Sequence, residues 1–392
     1  MTTIYLDNNA TTRTAPEVFE AMKPYLTEFY GNPSSMHTFG GQVHKKIEDA
    51  RQQVAALINA EPEEILFTSC GTESDNTALM SAVETTPEKR HLITTRVEHP
   101  AVLNFCRHLG RKGFRTTYLP VNALGQLDPA ALDHAVNDDT VLVSIMFANN
   151  ETGVIFPVET IAPRLFEQGI LFHTDAVQAA GKIPLDVRKT PIAMLTISGH
   201  KLHAPKGIGA LYVRKGTRFH PYILGGHQEH GRRAGTENVA SIIGFGKAAE
   251  LARTNLAAEI THLSRLRDRL EQGLLNACPH ARVNGDITRR LPNTANISFE
   301  YIEGEAILLR LNEYGICASS GSACTSGSLE PSHVLRAMGV PYTAVHGSIR
   351  FSLSRYNSDK DIDTVLEVMP SIIQELRELS PFGKERGQGK TG

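Results

Sequence analysis

The sequence has little of what marks secreted, membrane-spanning or nucleic-acid-binding proteins. It contains only 5 cysteines in 392 residues, and no Cys-x-x-Cys pair occurs. A disulfide framework or a structural zinc site is therefore not expected. No apolar run approaches the length of a membrane span. The formal net charge is -2, so the sequence indicates no basic surface for nucleic acid or for an anionic membrane.

The N-terminal segment, residues 1–5, lacks the basic and apolar regions of a signal peptide, so the cytoplasm is the expected location and the thiols are expected to be reduced. What is present is the composition of an ordinary soluble globular protein, with 41% hydrophobic and 21% charged residues. The length is sufficient for two lobes with a substantial core.

Short apolar runs alternate with helical patterns through the first half of the chain. This alternation predicts a mostly parallel sheet with helices on both faces. Such sheets bind ligands at the carboxyl ends of their strands. Polar residues follow five of the apparent strands, and these residues are Thr72, His99, Asn150, Asp175 and Lys201. The sequence therefore predicts a ligand site at one edge of the sheet.

Two of these residues suggest the kind of ligand. Lys201 follows the apolar run 192–197, and a lysine at a strand end can be desolvated and act as an amine nucleophile. Its alternative is an ordinary surface lysine beside a turn. Asp175 follows another apolar run. A lysine and an aspartate placed in this way are the minimum set for holding pyridoxal phosphate.

A turn of small residues, 69–72, precedes a predicted helix that extends through Val83. The free N–H groups at such a helix start attract an anion, which makes Gly71 and Thr72 candidate phosphate ligands. The alternative is simple helix capping by Thr72 or Ser74.

Two further residues stand out by their surroundings. Arg350 lies in an otherwise apolar strand, so it requires an anionic partner. A substrate carboxylate and a structural ion pair both remain open. Cys324 lies in a loop of Ser, Gly, Ala and Thr, where an exposed thiol is expected to be reactive. The other cysteines lie in or beside apolar elements and are expected to be structural; they are Cys70, Cys106, Cys278 and Cys317.

The segments 173–178 and 198–201 resemble the cofactor motifs of class V aminotransferase-type enzymes. Within that group, segment 319–327 resembles the active-cysteine loop of group I cysteine desulfurases of the nitrogen-fixation type. The resemblance extends over nearly the whole chain, from segment 5–12 to segment 347–352.

The resemblance implies the PLP-dependent transferase fold, aspartate aminotransferase-like and of fold type I. A large α/β domain, residues 15–258, is expected to contain a mostly parallel seven-stranded sheet. A smaller α+β domain, residues 1–14 and 259–380, is expected to carry the active-cysteine loop. The tail, residues 381–392, is predicted to be disordered.

The resemblance also implies residue roles. Lys201 would hold pyridoxal 5'-phosphate as a Schiff base, Asp175 would keep the ring nitrogen protonated, and His99 would stack on the ring and move protons. A helix-capping or core histidine is the alternative for His99. Asn150 and Gln178 would hydrogen-bond the region of the ring hydroxyl.

The remaining implied contacts concern the phosphate, the substrate and a second subunit. The phosphate ligands would be Gly71, Thr72, Ser198, His200 and, from the other subunit of a homodimer, Thr236. Arg350 and Asn150 would bind the substrate.

The implied reaction converts L-cysteine to L-alanine and leaves the sulfur on Cys324 as a persulfide. The sulfur would pass to a NifU-like iron–sulfur scaffold protein, with nitrogenase maturation as the expected purpose. Through its persulfide, Cys324 is also a candidate transient ligand of an iron–sulfur cluster shared with that scaffold. The alternatives are a housekeeping desulfurase, an aminotransferase or selenocysteine lyase on the same cofactor, and a sulfur carrier without cofactor.

Overall fold

Apolar and β-branched runs form the strands of a large sheet, and the segments between them form its covering helices. The computed structural model describes residues 3–320 and 331–380. The strands of this sheet are β2 (Ile65–Thr68), β3 (His91–Thr95), β4 (Arg115–Leu119), β5 (Thr140–Ser144), β6 (Leu171–Asp175), β7 (Met194–Ser198) and β8 (Gly209–Val213).

The strands lie in the spatial order β2-β8-β7-β6-β5-β3-β4. The pairs from β4 through β7 are parallel, and β8 alone runs antiparallel to both of its neighbours. This arrangement confirms the predicted mostly parallel seven-stranded sheet. Strands β5 and β7 are buried along their whole length, as expected where helices cover both faces.

Helices of the first half of the chain cover this sheet. They are α1 (Pro16–Met22), α2 (Pro24–Thr27), α3 (Thr38–Leu57), α4 (Gly71–Thr85), α5 (Pro100–Arg111), α6 (Pro129–Ala135) and α7 (Val158–Glu167). In the sequence, residues 16–26 predict one helix with Pro16 near its first turn. This prediction is wrong, because two helices form there. Pro24 starts the second helix at its first position, since its missing N–H cannot continue the first.

The second half of the chain builds two smaller sheets and further helices. An antiparallel sheet has the order β12-β10-β9, and a parallel pair joins β1 to β11. The elements are β1 (Ile4–Tyr5), α8 (Val239–Ala277), β9 (Ala281–Val283), β10 (Thr294–Phe299), α9 (Gly304–Glu313), β11 (Ile316–Cys317), α10 (His333–Ala337), α11 (Tyr342–Val345), β12 (Ser348–Ser352) and α12 (Asp359–Leu379).

Helix α8 belongs to two hydrophobic cores. Its first part, including Phe245 and Ala249, packs into the core of the large sheet. Its second part, including Leu266 and Leu270, packs into a separate core with β10, β12 and α12. The N-terminal Leu6 also lies in that second core. These contacts support a lobe boundary within α8, and the proposed limits at residues 258 and 259 stay a prediction.

Pro370 was expected to kink or split the last helix. Instead, α12 is continuous from Asp359 to Leu379 with Pro370 inside it. Met369, Ile372 and Ile373 are buried on either side of the proline. Packing of these side chains offsets the loss of one backbone hydrogen bond, so the prediction of a split is wrong.

The predicted tail, residues 381–392, lies outside the described residues. Within residues 3–320 and 331–380, no helix combines the length and the apolar character needed to cross a membrane.

Candidate active site

A cavity of about 340 Å³ lies where the parallel strands end. Ten of the predicted site residues line it, and these are Gly71, Thr72, His99, Asn150, Asp175, Gln178, Ser198, His200, Lys201 and Arg350. Seven residues that were not predicted as site residues also line it, and these are Asn9, Ala10, Cys70, Asp75, Met146, Ala148 and Val177. The cavity therefore brings together residues separated by as much as the whole length of the chain.

Lys201 lies in a single turn of 3-10 helix, Gly199–Lys201, that directly follows β7. Its Nζ donates to the backbone oxygens of Asn9 and Ala10, each at 2.6 Å. The side chain is partly buried and lines the cavity. The structure therefore excludes the alternative that Lys201 is an ordinary surface lysine.

Asp175 ends β6 and is buried beside a second carboxyl group. Its Oδ1 accepts the backbone N–H of Val177 at 2.9 Å. Asp75, on the first turns of α4, is also buried, and ligand atoms of Asp75, His99 and Asp175 all lie within 4.8 Å of one another. Burial raises the pKa of Asp175, against the opposing effect of His99.

Burial, followed by the charge of Asp175, raises the pKa of Asp75 well above its usual value. Two carboxylates at this distance in a water-poor site repel each other, so only one of them is readily ionised. A cation placed in the cavity would favour ionisation of Asp175.

His99 is the residue that precedes α5. Its Nδ1 accepts the backbone N–H of Ala101 at 3.2 Å, so the proton of the neutral ring lies on Nε2. Burial lowers the pKa of His99, the charge of Asp175 opposes this effect, and the positive charge of Lys201 adds to it. His99 is therefore both the cap of a helix and a neutral imidazole in the cavity wall.

Glu98, its neighbour, is fully buried. Both of its carboxyl oxygens accept the backbone N–H of Met146 at 3.0 Å, and Oε1 also accepts the hydroxyl of Thr95 at 2.8 Å. Burial raises the pKa of Glu98 to about 8. This carboxyl group is mostly protonated at neutral pH, which limits the negative charge beneath the cavity.

The start of α4, at Gly71 and Thr72, forms together with Ser198 a concave surface that suits an anion, and this surface is called the cup below. Cys70, rather than Thr72 or Ser74, caps this helix, so both parts of the capping alternative are wrong. The first N–H groups of a helix have no partner within it, and they carry the positive end of its dipole. The buried Ser198 Oγ has no hydrogen-bond partner among the described residues.

Glycine at position 71 keeps this cup open. A methyl group there would lie 2.9 Å from Val177 Cγ2 and 3.4 Å from Ser198 Cβ. An unpaired buried hydroxyl, free helix N–H groups and space next to a glycine together fit a phosphate group. The residues present therefore fit the phosphate of pyridoxal phosphate, and Lys201 and Asp175 fit its ring.

Arg350 is 2% exposed and has found an internal partner. Its Nη2 contacts Asp7 Oδ1 at 2.6 Å, and its Nη1 donates to the backbone oxygen of Asn150 at 3.0 Å. The structural ion pair that the sequence left open is therefore present. Its Nε is buried without a partner among the described residues, and the side chain also lines the cavity.

Gln178 and His200 face neighbours from the N-terminal segment. Gln178 Nε2 donates to the backbone oxygen of Asn9 at 3.0 Å. His200 Nδ1 lies 3.1 Å from Thr11 Oγ1. Burial, and next the charge of Lys201, lowers the pKa of His200 to about 4, so the ring is neutral.

Thr236 is the described site residue that does not line the cavity. It is exposed, in the loop that leads into α8. The start of this loop is fixed by Glu229, whose carboxylate pairs with Arg51 at 2.7 and 2.8 Å. Within one chain, Thr236 therefore remains outside the site.

Cys324 lies outside the described residues, but the residues on either side of its segment are described. Ser319 exchanges two backbone hydrogen bonds with Arg350, at 2.6 and 3.2 Å. On the other side, Ser332 Oγ donates to Glu151 Oε2 at 2.5 Å. Both flanks are thus attached next to cavity-lining residues, Arg350 on one side and Asn150, the neighbour of Glu151, on the other.

Sequence reasoning missed the second carboxyl group, the protonated Glu98 and the role of Asn9. Asp75 follows Gly71 by four residues, a spacing that places both on one face of a helix, so this signal was available. Glu98 precedes His99, but nothing in a sequence distinguishes a buried glutamate from an exposed one. Asn9 depends on the folding of the N-terminus across the sheet.

The chain was compared with known proteins. The family model described as aminotransferase class-V matches residues 4–365. A protein of Trichormus azollae named cysteine desulfurase is 65% identical, with 97% of this chain and 96% of that protein covered. The cysteine desulfurase NifS of Azotobacter vinelandii is 58% identical, with 99% and 96% covered.

Solved structures give the same result. A NifS-like protein superposes with a TM-score of 0.90 at 41% identity, covering 96% of this chain and all of that one. A structure described as SspA in complex with cysteine superposes with a TM-score of 0.80 at 36% identity, covering 91% of this chain and all of that one. The predicted family and fold are confirmed, and the chain belongs to the aminotransferase class-V family, among its pyridoxal phosphate-dependent cysteine desulfurases.

Proposed function

We propose that this chain converts L-cysteine to L-alanine and takes the sulfur onto Cys324 as a persulfide. The observation that carries the proposal is the single cavity in which Lys201, Asp175 and the unpaired Ser198 hydroxyl meet at the strand ends. The similarity to NifS and to other proteins named cysteine desulfurase supports the choice of substrate.

The residues of the cavity divide between the parts of the cofactor. Lys201 provides the amine that binds it covalently, Asp175 pairs with the ring nitrogen, and Ser198, His200 and the start of α4 bind the phosphate. Bound there, pyridoxal phosphate would act as an electron sink for an amino acid held through its amine, and this would make the carbon–sulfur bond of the substrate easier to break.

His99 and Lys201 are the two bases next to the substrate position. His99 is neutral with its proton on Nε2, so it can donate that proton and accept another on the same atom. Lys201, once released from the cofactor, is an amine that can take a proton from the substrate and return it to the product. Arg350, held by Asp7, presents its unpaired Nε for a substrate carboxylate.

Cys324 supplies the thiol that accepts the sulfur. Its thiolate forms a bond to the sulfur of L-cysteine while the carbon–sulfur bond breaks, which leaves Cys324 as a persulfide and releases L-alanine. The electron pair of the broken bond stays with the substrate carbon, which gains a proton and becomes the methyl group of alanine, so the sulfur is oxidised as that carbon is reduced. The described residues that flank its segment, Ser319 and Ser332, are attached next to residues of the cavity wall.

A paired assay on wild type and Cys324→Ala tests this reaction. The absorption spectrum is recorded first, and then sulfide and alanine are measured from L-cysteine. A yellow variant that makes neither product supports the persulfide step. If the yellow variant releases both products, the thiol role is refuted and another pyridoxal enzyme remains. A colourless wild type that stays inactive with added pyridoxal phosphate would contradict the whole proposal.

We further propose that the active unit is a homodimer in which Thr236 reaches the phosphate site of the partner subunit. Thr236 is exposed and does not line the cavity of its own chain. Large apolar side chains are exposed in segment 19–39, and these include Phe19 at 53%, Leu26 at 59%, Tyr30 at 73% and Met36 at 105%. A second copy of the chain would cover such a surface.

Mixed dimers test this arrangement. A Lys201→Ala chain and a Thr236→Val chain are each expected to bind or use the cofactor poorly. If Thr236 acts across the interface, their mixed dimer contains one intact site and regains activity. If Thr236 acts within its own chain, each site keeps one defect and mixing restores nothing. A monomer in light scattering would refute the proposal directly.

The physiological role that we propose is sulfur supply for iron–sulfur clusters in the cytoplasm, with nitrogenase maturation as the purpose and a NifU-like scaffold as the acceptor. The identity of 58% to NifS over nearly the whole chain supports this role over a housekeeping one. Expression in an Azotobacter vinelandii strain without NifS tests it, with the Cys324→Ala variant as the control. Growth on dinitrogen that requires Cys324 is expected, and wild-type expression without such growth would favour the housekeeping role.

A further inference from the structure

A second lysine lies next to the cavity, and the reaction described above does not use it. Lys182 is partly buried, seven residues beyond Asp175. Its Nζ lies 2.6 Å from Gln178 Oε1 and 3.0 Å from Asn9 Oδ1. Both of these partners line the cavity, whereas Lys182 does not.

The contact with Lys182 fixes which end of the Gln178 amide faces which neighbour. An ammonium or amine N–H can donate only to the carbonyl end of an amide, so Oε1 points to Lys182. Nε2 then carries the two N–H groups on the other side, and one of them donates to the backbone oxygen of Asn9. Among the described residues the second N–H has no partner, so it can donate to a ligand in the cavity that Gln178 lines.

Asn9 is fixed in the same way. Its Oδ1 accepts from Lys182 and from Asn293, and its Nδ2 donates to Thr294 Oγ1 at 2.8 Å. The backbone oxygen of Asn9 in turn accepts from both Lys201 and Gln178. Lys182 therefore orients two residues of the cavity wall. Gln178 acts there through its side chain, and Asn9 acts through its backbone oxygen.

We propose that Lys182 is a positioning residue that holds the Gln178 amide so that it offers an N–H, and not a carbonyl oxygen, to the ring oxygen of the cofactor. This inference rests on the proposed function, because it assumes that pyridoxal phosphate occupies the cavity with its ring oxygen near Gln178. The ring oxygen of that cofactor is an acceptor when ionised, so it requires a donor. Without Lys182, Oε1 of Gln178 loses the donor that faces it, and only the hydrogen bond from Nε2 to the backbone oxygen of Asn9 opposes a turn of the amide.

The electrostatic surroundings agree with this role. Burial, followed by the positive charges of Lys201 and Arg350, lowers the pKa of Lys182 well below its usual value. The amine can still donate to both oxygens when it is neutral. A group in this position acts through directed hydrogen bonds more than through its charge.

A double-mutant cycle tests the proposal. The variants are Lys182→Met, which keeps the length of the side chain and removes its donors, Gln178→Leu, and the double variant. Lys189→Met is the matched control, because Lys189 is exposed in the same connection between β6 and β7. Each apoenzyme is titrated with pyridoxal phosphate, and the dissociation constant and the absorption maximum of the bound cofactor are measured.

Lys182→Met is expected to weaken binding about tenfold and to shift the absorption maximum, because the ring oxygen loses a donor. In the Gln178→Leu background the same change is expected to have almost no further effect, since the two residues act as one unit. Equal losses in both backgrounds, or an unchanged affinity and spectrum in Lys182→Met, would overturn the proposal.

Gln178→Glu provides a second test that keeps Lys182 paired. A glutamate would form an ion pair with Lys182, so the site stays folded, but it offers no N–H to the cofactor. We expect its affinity for pyridoxal phosphate to fall at least as far as in Gln178→Leu. Wild-type affinity in Gln178→Glu would refute the inference alone. Absence of binding by the wild type would refute the proposed function together with it.

Discussion

Replacing Gly71 by alanine separates the anion-binding role of the α4 start from its structural role. The added methyl group would lie 2.9 Å from Val177 Cγ2 and 3.4 Å from Ser198 Cβ. Overpacking of this kind costs about 1–3 kcal/mol, whereas alanine is favoured over glycine in a helix by up to about 1 kcal/mol. Gly71 does not adopt a positive φ, so alanine introduces no backbone strain.

In the empty protein, the Val177 side chain can move aside, so we expect the free energy of unfolding to change by less than about 2 kcal/mol. In the loaded protein, the cup is filled, and the full overpacking cost returns. A cost of about 1–3 kcal/mol corresponds to a dissociation constant for pyridoxal phosphate that is roughly 5- to 150-fold larger. The effect on binding should therefore be clear while the effect on stability is small.

The assay is a fluorescence or absorbance titration of the apoenzyme with pyridoxal phosphate, alongside urea unfolding of the same preparation. Gly110→Ala is the matched control, because Gly110 is also helical and a methyl group there would meet nothing within 4 Å. The control should bind the cofactor as the wild type does. If Gly71→Ala binds within twofold of the wild type, the phosphate does not occupy this cup and the argument fails.

Two further predictions concern buried charges. Glu98 has a pKa of about 8 in the folded protein and 4.5 when unfolded, so its stabilising contribution is complete below pH 4.5 and is lost as the pH rises to about 8. The difference in the free energy of unfolding between wild type and Glu98→Gln should therefore fall as the pH rises through this window, by up to about 1.4 kcal/mol per pH unit. Urea titrations at several pH values measure this difference. A difference that stays constant with pH would contradict the raised pKa. Arg51 and Glu229 are both nearly fully buried, so Glu229→Ala should destabilise the protein by about 3–5 kcal/mol in the same assay. The double variant Arg51→Met/Glu229→Ala should lose clearly less stability than the two single variants lose together. Additive losses would show that the pair does not act as a unit.

Much of the fold and the site could be predicted because parallel strands impose a common geometry on their ends. Asp175 and Lys201 follow β6 and β7, which are neighbours in the sheet, so their meeting follows from the strand pattern alone. Thr72, His99 and Asn150 follow other strands that end at the same edge. The period of apolar residues identified these strands, and Pro and Gly identified most of their ends.

Other features depend on contacts that no local pattern records. The N-terminal segment crosses the site because Asn9 bonds to Ser352, Thr294 and Asn150, each far away along the chain. Whether Arg350 meets a substrate or an internal carboxylate was open in the sequence, and Asp7 at the other end of the chain decided the ion pair. The continuity of α12 across Pro370 likewise depends on packing that the sequence does not display.

The electrostatics of the cavity give a reason for its selectivity. Asp75 and Glu98 are buried next to Asp175, and burial raises the pKa of each. If all three groups were ionised, the site would bind any small cation. With Asp75 and Glu98 protonated, only the carboxylate of Asp175 carries a negative charge. Lys201, Arg350 and the start of α4 also line the cavity and supply positive charge. A ligand that suits both kinds of charge carries a cationic ring nitrogen and a phosphate. Pyridoxal phosphate has both, whereas free phosphate or a simple amine has only one. Asp75→Asn should therefore leave the binding of both phosphate and pyridoxal phosphate nearly unchanged, because it replaces a carboxyl group that is already protonated by a neutral amide of the same shape.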